Sequence, residues 1–450
     1  MSWLSLLPPL VAILIALWRR EVILALLAAI LLAELILAGG QPLSAFLHAI
    51  ERIAAVSTSA DNARILLFSL LIGALLALIR FSGGVAAFVR WLLHSGLARS
   101  PRAAGLLTCL LGTLIFIESN LSILACGTFG QQLFDRHGLS RARLALMVDA
   151  TCGPVSVLLL LNGWGAYVLG LLALQPLDAP VAVLLASIPL NFYGLLVLAL
   201  TFHLAWSGHS FGSLARHEQD QPSLPAPETA AATGKAGYFL LPMVLLVGGI
   251  VGFMYYTGEG SLLAGSGASS VLYAMCLALL ALWLWLLKDG VATHADLLQL
   301  GFRGIGELLP VVSILLLAFA LGAALLELQT GAYVASLIPA QLPQWLLAPV
   351  VFLTACLISF TTGTSWGTFG ILVPVAVPLA LATGASPALL LAAVLGGGVF
   401  GDHCSPISDS TVLSSLASGC DHLLHVRTQL PYALLAGGAS LLLFALAGLF

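Results

Sequence analysis

The chain has 450 residues, of which 60% are hydrophobic and only 8% charged, with a net charge of −3. A soluble domain carries roughly 25% charged residues, so this composition excludes a water-soluble protein and places the chain in a membrane. Nothing in the charge pattern invites nucleic acid. Seven scattered cysteines without a CxxC pair argue against a disulfide framework or a zinc site.

The apolar runs are continuous and about 16–25 residues long, so the spans read as helices rather than barrel strands. The first, Leu4 to Trp18, lacks a small-residue cleavage site and reads as a retained helix ending at Arg19 and Arg20. A helix at about 64–80 is followed by Arg80, Arg90, Arg99 and Arg102. The stretch 103–134 carries Glu118-Ser119-Asn120 at its middle and is followed by Arg136, Arg141 and Arg143. Lys and Arg collect on the cytoplasmic face, so both ends of 103–134 lie there. It reads as a re-entrant hairpin with its tip at Glu118–Asn120.

A broken helix over 144–174, interrupted at Thr151–Ser156, leads out to a loop at 175–180, and a further helix returns near Trp206. The segment 207–237, with Pro222, Pro225 and Pro227, reads as a flexible cytoplasmic linker. Helices follow over about 238–258, 270–287 and 305–327. A second hairpin, 345–382, is interrupted at Thr361-Thr362-Gly363-Thr364-Ser365-Trp366 and enters from the outer face, because no Lys or Arg flanks it. A broken helix over 388–416 and a last helix complete the chain. All but Arg52 and Arg64 of the 16 Lys and Arg then lie inside, with both termini on the outer side.

Two motifs occur twice. Gly127-Thr128-Phe129-Gly130 precedes Cys152-Gly153-Pro154-Val155-Ser156, and Gly367-Thr368-Phe369-Gly370 precedes Cys404-Ser405-Pro406-Ile407-Ser408. The two halves, 1–206 and 238–450, thus hold five helices and one hairpin each, in opposite orientation. Paired interruptions in corresponding places of inverted halves mark the binding site of a secondary transporter. The fold class expected is an all-α integral membrane protein of about ten transmembrane helices plus two re-entrant hairpins.

Intramembrane carboxylates cost about 2.5–3.5 kcal/mol on insertion scales and are functional candidates by default. Asp402 and Asp409, flanking Pro406, are the first choices to bind Na+ or a proton, and Glu118 is next. One of Asp402 and Asp409 has a rival reading as the cap of the half-helix that starts near Ser408. Asn120, Thr151, Ser156, Asn162, Thr362, Thr364, Ser365, Ser405 and Ser408 can add neutral oxygens, the donor type hard cations prefer. For any one of them, helix capping or packing is the rival reading. His403 is a candidate proton relay. Asp149 is another, with an ion pair to Arg141 or Arg143 as its rival reading. Trp164 and Trp366 read as core residues that can also line a solute pocket. His422 and His425 read as surface residues, and Glu34, Glu307 and Glu327 as snorkelling or capping groups.

The run Gly401-Asp402-His403-Cys404-Ser405-Pro406-Ile407-Ser408-Asp409-Ser410-Thr411, continuing through Cys420-Asp421-His422, His425-Val426 and Thr428-Gln429-Leu430-Pro431-Tyr432, resembles the signature of the NhaC-type Na+/H+ antiporter family of the ion-transporter superfamily. Thr362-Gly363-Thr364-Ser365-Trp366-Gly367-Thr368 is similar to its second hairpin tip, and Val148-Asp149-Ala150-Thr151 is also familial. The resemblance spans about 105–435. It implies two inverted repeats, a scaffold domain, and a transport domain that moves by an elevator motion, often in a homodimer. Relatives often carry two adjacent acids at the first tip, where this chain has Glu118 and Ser119. The leading reading is a Na+/H+ antiporter in which Asp402, Asp409 and Glu118 alternately bind Na+ and H+. The alternative is a Na+- or H+-coupled carrier of a small organic solute, a carboxylate or an amino acid. No resident cofactor is expected, and neither HExxH nor a P-loop points to an enzyme. The partners are Na+, H+ and the lipid bilayer, and the short loops suit a bacterial inner membrane.

Overall fold

The computed structural model describes residues 3–449 apart from 20, 95–98, 117–118, 160–161, 221–233, 262–264, 331–332 and 334–342. Every regular element among them is helical. The chain begins with α1 (Leu7–Arg19), α2 (Val22–Leu37), α3 (Pro42–Ala55), α4 (Ala60–Phe81) and α5 (Gly84–His94). There follow α6 (Pro101–Leu114), α7 (Ser119–Arg136), α8 (Arg141–Leu158), α9 (Gly163–Ala173), α10 (Pro180–Ser187), α11 (Phe192–Ser207) and α12 (Gly212–Asp220). The remainder is α13 (Gly237–Thr257), α14 (Gly267–Lys288), α15 (His294–Glu327), α16 (Leu347–Thr362), α17 (Ser365–Thr383), α18 (Pro387–Cys404), α19 (Asp409–Ser418) and α20 (His422–Ala447). Among the described residues nine helical stretches are long and apolar enough to cross a membrane, or ten if α8 and α9, bent by 40°, count as one.

Several boundaries depart from the sequence reading, each for a local reason. The helix expected from about 305 starts at His294, because Thr293 and Asp296 form a reciprocal capping box. The expected break at Thr151–Ser156 lies inside α8. There Thr151 Oγ1 donates to the Met147 carbonyl and Ser156 Oγ to that of Cys152, so these polar side chains bond back along a continuing helix. The chain leaves the helix at Leu159, and Asn162 caps α9 by accepting from the Gly165 amide. The helix ending near Trp206 is itself interrupted between α10 and α11, where Pro189 lacks an amide hydrogen and Asn191 caps α11. Part of the supposed linker is α12, which docks through Glu218 to Arg143 at 2.6 Å and through Ser213 to the Arg427 carbonyl.

The acids taken for snorkelling or capping groups are ion-paired instead. Arg52 of α3 bridges buried Glu34 of α2 and Glu327 of α15, and Arg80 of α4 pairs with Glu307 of α15. Each pair ties separate helices together, and a charge facing hydrocarbon would cost far more than one facing its partner.

Lipid chains are as apolar as leucine, so helices in a membrane associate chiefly by close packing, which favours small residues. At the α4–α15 crossing a Cβ on Gly304 would lie 2.1 Å from the Gly73 carbonyl oxygen. Along α18, Cβ atoms on Gly397 and Gly401 would lie 2.3 Å from the Phe352 and Cys356 carbonyl oxygens of α16. These two glycines, one helical turn apart, let α18 lie against α16, and nearly all of α18 is buried. Gly304→Ala is expected to lower stability by about 1–3 kcal/mol through overpacking. Gly306→Ala on the same helix, where a Cβ meets nothing within 4 Å, is expected to be neutral or stabilising. Thermal unfolding of the two purified variants in detergent checks the pair.

Candidate functional site

The α18–α19 break, residues 405–408, meets the turn between α16 and α17. Gly363 ends α16 with φ +68°, and a Cβ there would lie 2.5 Å from the Ile407 carbonyl oxygen. Only glycine combines that left-handed backbone with so close an approach. Ser405 Oγ donates to the Phe360 carbonyl at 2.7 Å, and Ser365 Oγ lies 3.1 Å from Asp402 Oδ2 and 3.2 Å from the Gly398 carbonyl. Ser408 caps α19 by accepting from the Thr411 amide, so Asp409 is free of the capping role and stands in the first helical turn.

Asp402 and Asp409 both line a cavity of about 320 Å³ with Thr362, Thr364, Ser365 and Ser119. Asp402 Oδ2 faces Ser365, while Oδ1 is buried with no hydrogen-bond partner among the described residues. The opposite wall is aromatic. Trp366 packs on Trp164 with ring centroids 4.7 Å apart and stacks on Tyr167 at 4.8 Å. Tyr167 also donates to the Trp366 carbonyl at 2.8 Å, so α9 holds the second tip in place. The amide of Asn162, at the start of α9, reaches the carbonyls of Phe116, Ser156 and Leu159. It thereby ties the α8–α9 break to the end of α6. Gly363-Thr364-Ser365-Trp366-Gly367 also has the GxSxG spacing of hydrolases. Here it joins two helices, and Ser365 faces a carboxylate and a carbonyl, so the strand-to-helix elbow and histidine base of that motif are not its context.

The sequence-derived candidates therefore separate. Asp402, Asp409, Thr362, Thr364 and Ser365 converge on the cavity, with Ser405 and Ser408 in the break beside it. Thr151 and Ser156 do not line it. Glu118 lies outside the described residues, as does the side chain of Asn120. Among the described residues no group of three or more His, Cys, Asp or Glu is placed to hold a metal ion.

Asp149 occupies a second polar centre. Its side chain has no solvent exposure and accepts from Gln429 Nε2 at 2.7 Å and from Thr411 and Ser414 hydroxyls at 3.2 Å. The expected pairing with Arg141 or Arg143 is absent: Arg141 pairs with Asp135 at 2.7 Å and Arg143 with Glu218. His425, expected at the surface, is fully buried 3.9 Å from Asp149, whereas His422 is half-exposed. His403 is buried with Nδ1 2.8 Å from the Tyr193 hydroxyl. The participation of Thr411, Ser414 and Gln429 was not anticipated. The available signal was the spacing of His425 and Gln429, which places both on one face of α20.

A profile of the Na+/H+ antiporter family matches residues 165–449. The chain belongs to the Na+/H+ antiporter family. Within it the chain is NhaC-like, a member of the ion-transporter superfamily. This antiporter-family chain is similar along nearly its whole length to an uncharacterized protein of Haemophilus influenzae, 34% identical over 95% of this chain and 88% of that one. A malate-2H(+)/Na(+)-lactate antiporter of Bacillus subtilis is 41% identical over 105 residues, 22% of each chain. The arginine/ornithine antiporter ArcD of Halobacterium salinarum is 39% identical over 108 residues, 23% of this chain and 22% of that one. The crystal structure of the Alcanivorax borkumensis YdaH transporter aligns with a TM-score of 0.60 over 89% of this chain and 88% of that one. At 14% identity, that likeness shows a shared multi-spanning helical fold. The protein is thus an integral membrane secondary transporter of this superfamily, and its family and structural neighbours are transporters, not enzymes.

Gly363→Ala tests the tip. Gly384 has φ +74° with nothing within 4 Å of a Cβ, so Gly384→Ala meets only the left-handed backbone cost of about 1–2 kcal/mol. Gly363→Ala adds the clash with Ile407 and is expected to be clearly more destabilising in thermal melts. Equal losses would show that the tip does not rest on the break.

Proposed function

We propose that this protein exchanges Na+ for H+, with Asp402 as the carboxylate that takes either one. The observation that carries the reading is the unpartnered, buried Oδ1 of Asp402 at a cavity wall. An ionised carboxylate with a bare oxygen at membrane depth is costly. A proton on Oδ1 removes the charge, and a cation on Oδ1 offsets it. One oxygen does not hold both, so Na+ entry displaces the proton and protonation expels Na+. Asp409 and the hydroxyl of Ser365 supply further hard oxygen donors.

The same reading takes 1–206 and 238–450 as inverted repeats joined by 207–237, with 103–134 and 345–382 as re-entrant hairpins. The broken pairs α8–α9 and α18–α19 then belong, with the hairpins, to a transport unit that moves against a scaffold. The contact of Gly363 with Ile407 and the clamp of Asn162 on Phe116 support this grouping, since each ties a helix break to a neighbouring hairpin.

A second reading has its own observation. A cavity of about 320 Å³ with an aromatic wall exceeds the needs of a bare cation and falls within the roughly 300–1,000 Å³ range of small-molecule sites. Relatives named for malate, lactate, arginine and ornithine exchange match over part of the chain. In this reading the cation at Asp402 is coupled to a small carboxylate or amino acid beside Trp366.

Proteoliposomes with a trapped pH dye separate the two. Under an imposed Na+ or Li+ gradient the wild type is expected to move protons, and Asp402→Asn, confirmed folded by gel filtration, to move none. Unchanged exchange in Asp402→Asn sinks the carboxylate mechanism. A wild type silent to cations alone but active once a dicarboxylate or amino acid is added moves the weight to solute transport.

A further inference from the structure

The orientation of one amide sets the protonation of the second polar centre. Gln429 Nε2 lies 2.7 Å from Asp149 Oδ2 and 3.1 Å from the His403 carbonyl, and both are pure acceptors when Asp149 is ionised. The nitrogen end must therefore face them, which turns Oε1 towards His425 Nε2 at 2.8 Å. An amide oxygen only accepts, so His425 carries a hydrogen on Nε2. On the other side of the ring Nδ1 lies 2.9 Å from Ser415 Oγ, whose own hydrogen goes to the Thr411 carbonyl at 2.7 Å. Ser415 then accepts from Nδ1 as well. With His425 as an imidazolium, Gln429 Oε1, Ser415 Oγ and the Thr411 carbonyl each receive a hydrogen, and Asp149 is the counter-charge 3.9 Å away; with Nδ1 unprotonated, the Ser415 hydroxyl turns from the Thr411 carbonyl to donate to that nitrogen.

A route leads from this ring towards the surface. Half-exposed His422 places Nδ1 3.2 Å from the same Ser415 Oγ and Nε2 2.6 Å from the Pro406 carbonyl. The carbonyl again demands a hydrogen on Nε2, leaving Nδ1 as the position that gains and loses a proton. A proton taken up at His422 Nδ1 passes to Ser415 Oγ, while the Ser415 hydrogen passes to His425 Nδ1. His422 returns to its neutral form, Ser415 is again a hydroxyl, and His425 is the cation. Rotation of the Ser415 hydroxyl resets the chain.

We propose that His425 is a proton-binding site separate from Asp402, loaded through Ser415 from the membrane face on which His422 lies. The proposal rests on the proton-coupled reading above and adds a second position to it. The titratable groups facing His425 are Asp149 on α8, His403 on α18 and His422 on its own helix. Asp149 in turn interacts with His403 and Asp402 on α18 and with Tyr193 on α11, and Asp402 interacts with Asp409 on α19. Thr411 and Gln429 link the two centres, because they also reach the carbonyls of Asp402 and His403 at the end of α18. Positive charge on His425 and a cation at Asp402 repel across this link, so loading one site disfavours loading the other. Antiport then draws on repulsion between the two sites as well as on competition for the Asp402 oxygen.

The test measures the ratio of protons to 22Na+ moved in proteoliposomes across a range of pH. His425→Gln is expected to keep cation movement, lower the proton-to-cation ratio and flatten the pH dependence. The wild-type ratio and pH profile in that variant overturn the proposal. His422→Ala is expected to slow proton movement several-fold, with recovery on adding imidazole, which reaches a half-exposed position. A rate equal to wild type, or a loss that imidazole does not repair, overturns the route and decides the matter if His425→Gln does not fold. Asp402→Asn in the same assay reports separately on the first site. Should the wild type move no cation, 15N-histidine NMR of the purified protein still decides. It is expected to show a doubly protonated ring that persists in His422→Ala and disappears in His425→Gln, and absence of any such ring at neutral pH overturns the proposal.

Discussion

A backbone carbonyl or amide inside a membrane has no water to turn to, so it must find its partner within the protein. The interruption between α18 and α19 is where this constraint is most demanding here. The Ser405 hydroxyl reaches the Phe360 carbonyl, and Ser408 takes the Thr411 amide. Gln429 takes the His403 carbonyl and His422 that of Pro406. Three helices, α16, α19 and α20, therefore supply side chains or backbone to one short irregular segment. Asp402, on the last turn of α18, is positioned by the groups that keep that segment from unravelling.

The same constraint shapes the packing. Partners can reach the break only if the helices around it come close, and glycine on α18 allows α16 to do so. Nothing comparable is asked of the exposed lipid-facing surface, which is lined with large apolar side chains. Charge follows a parallel division. Arg52, Arg141 and Arg143 are each matched by carboxylates, and Asp149 is surrounded by donors. Among the described residues, Asp402 is the carboxylate that combines a held oxygen with a buried one lacking a hydrogen-bond partner. A structural ion pair has no use for such an arrangement, whereas the exchange proposed for Asp402 would use it.

The duplicated Cys-x-Pro-x-Ser motif shows where local signals stop being informative. In both copies proline removes an amide hydrogen at membrane depth. Ser156 bonds backward to the Cys152 carbonyl, and the helix continues to Leu158. Ser408 bonds forward to the Thr411 amide, and a new helix starts. The two serines are chemically identical, and the direction of each bond follows from which neighbours receive the backbone groups that proline leaves free. His425 makes the same point for burial. Its sequence neighbours, Asp421 and His422, read as an exposed polar helix start, and only the seating of α20 against α8 and α19 encloses it with Asp149.

By itself the sequence determined the membrane environment, the helical class, the family and the importance of the segment 401–411. The first two follow from composition and run length, the family from the resemblance of its motifs, and the last from short-range chemistry such as a proline between two acids in an apolar stretch. The tertiary structure decided which polar residues share a cavity and which bond back into their own helix. It also decided that Asp149 faces Gln429 and His425 rather than an arginine two turns away. Such pairings join residues some 260–280 positions apart, and the physical reason they escape a sequence reading is that a buried polar group is satisfied by whatever packing brings within about 3 Å.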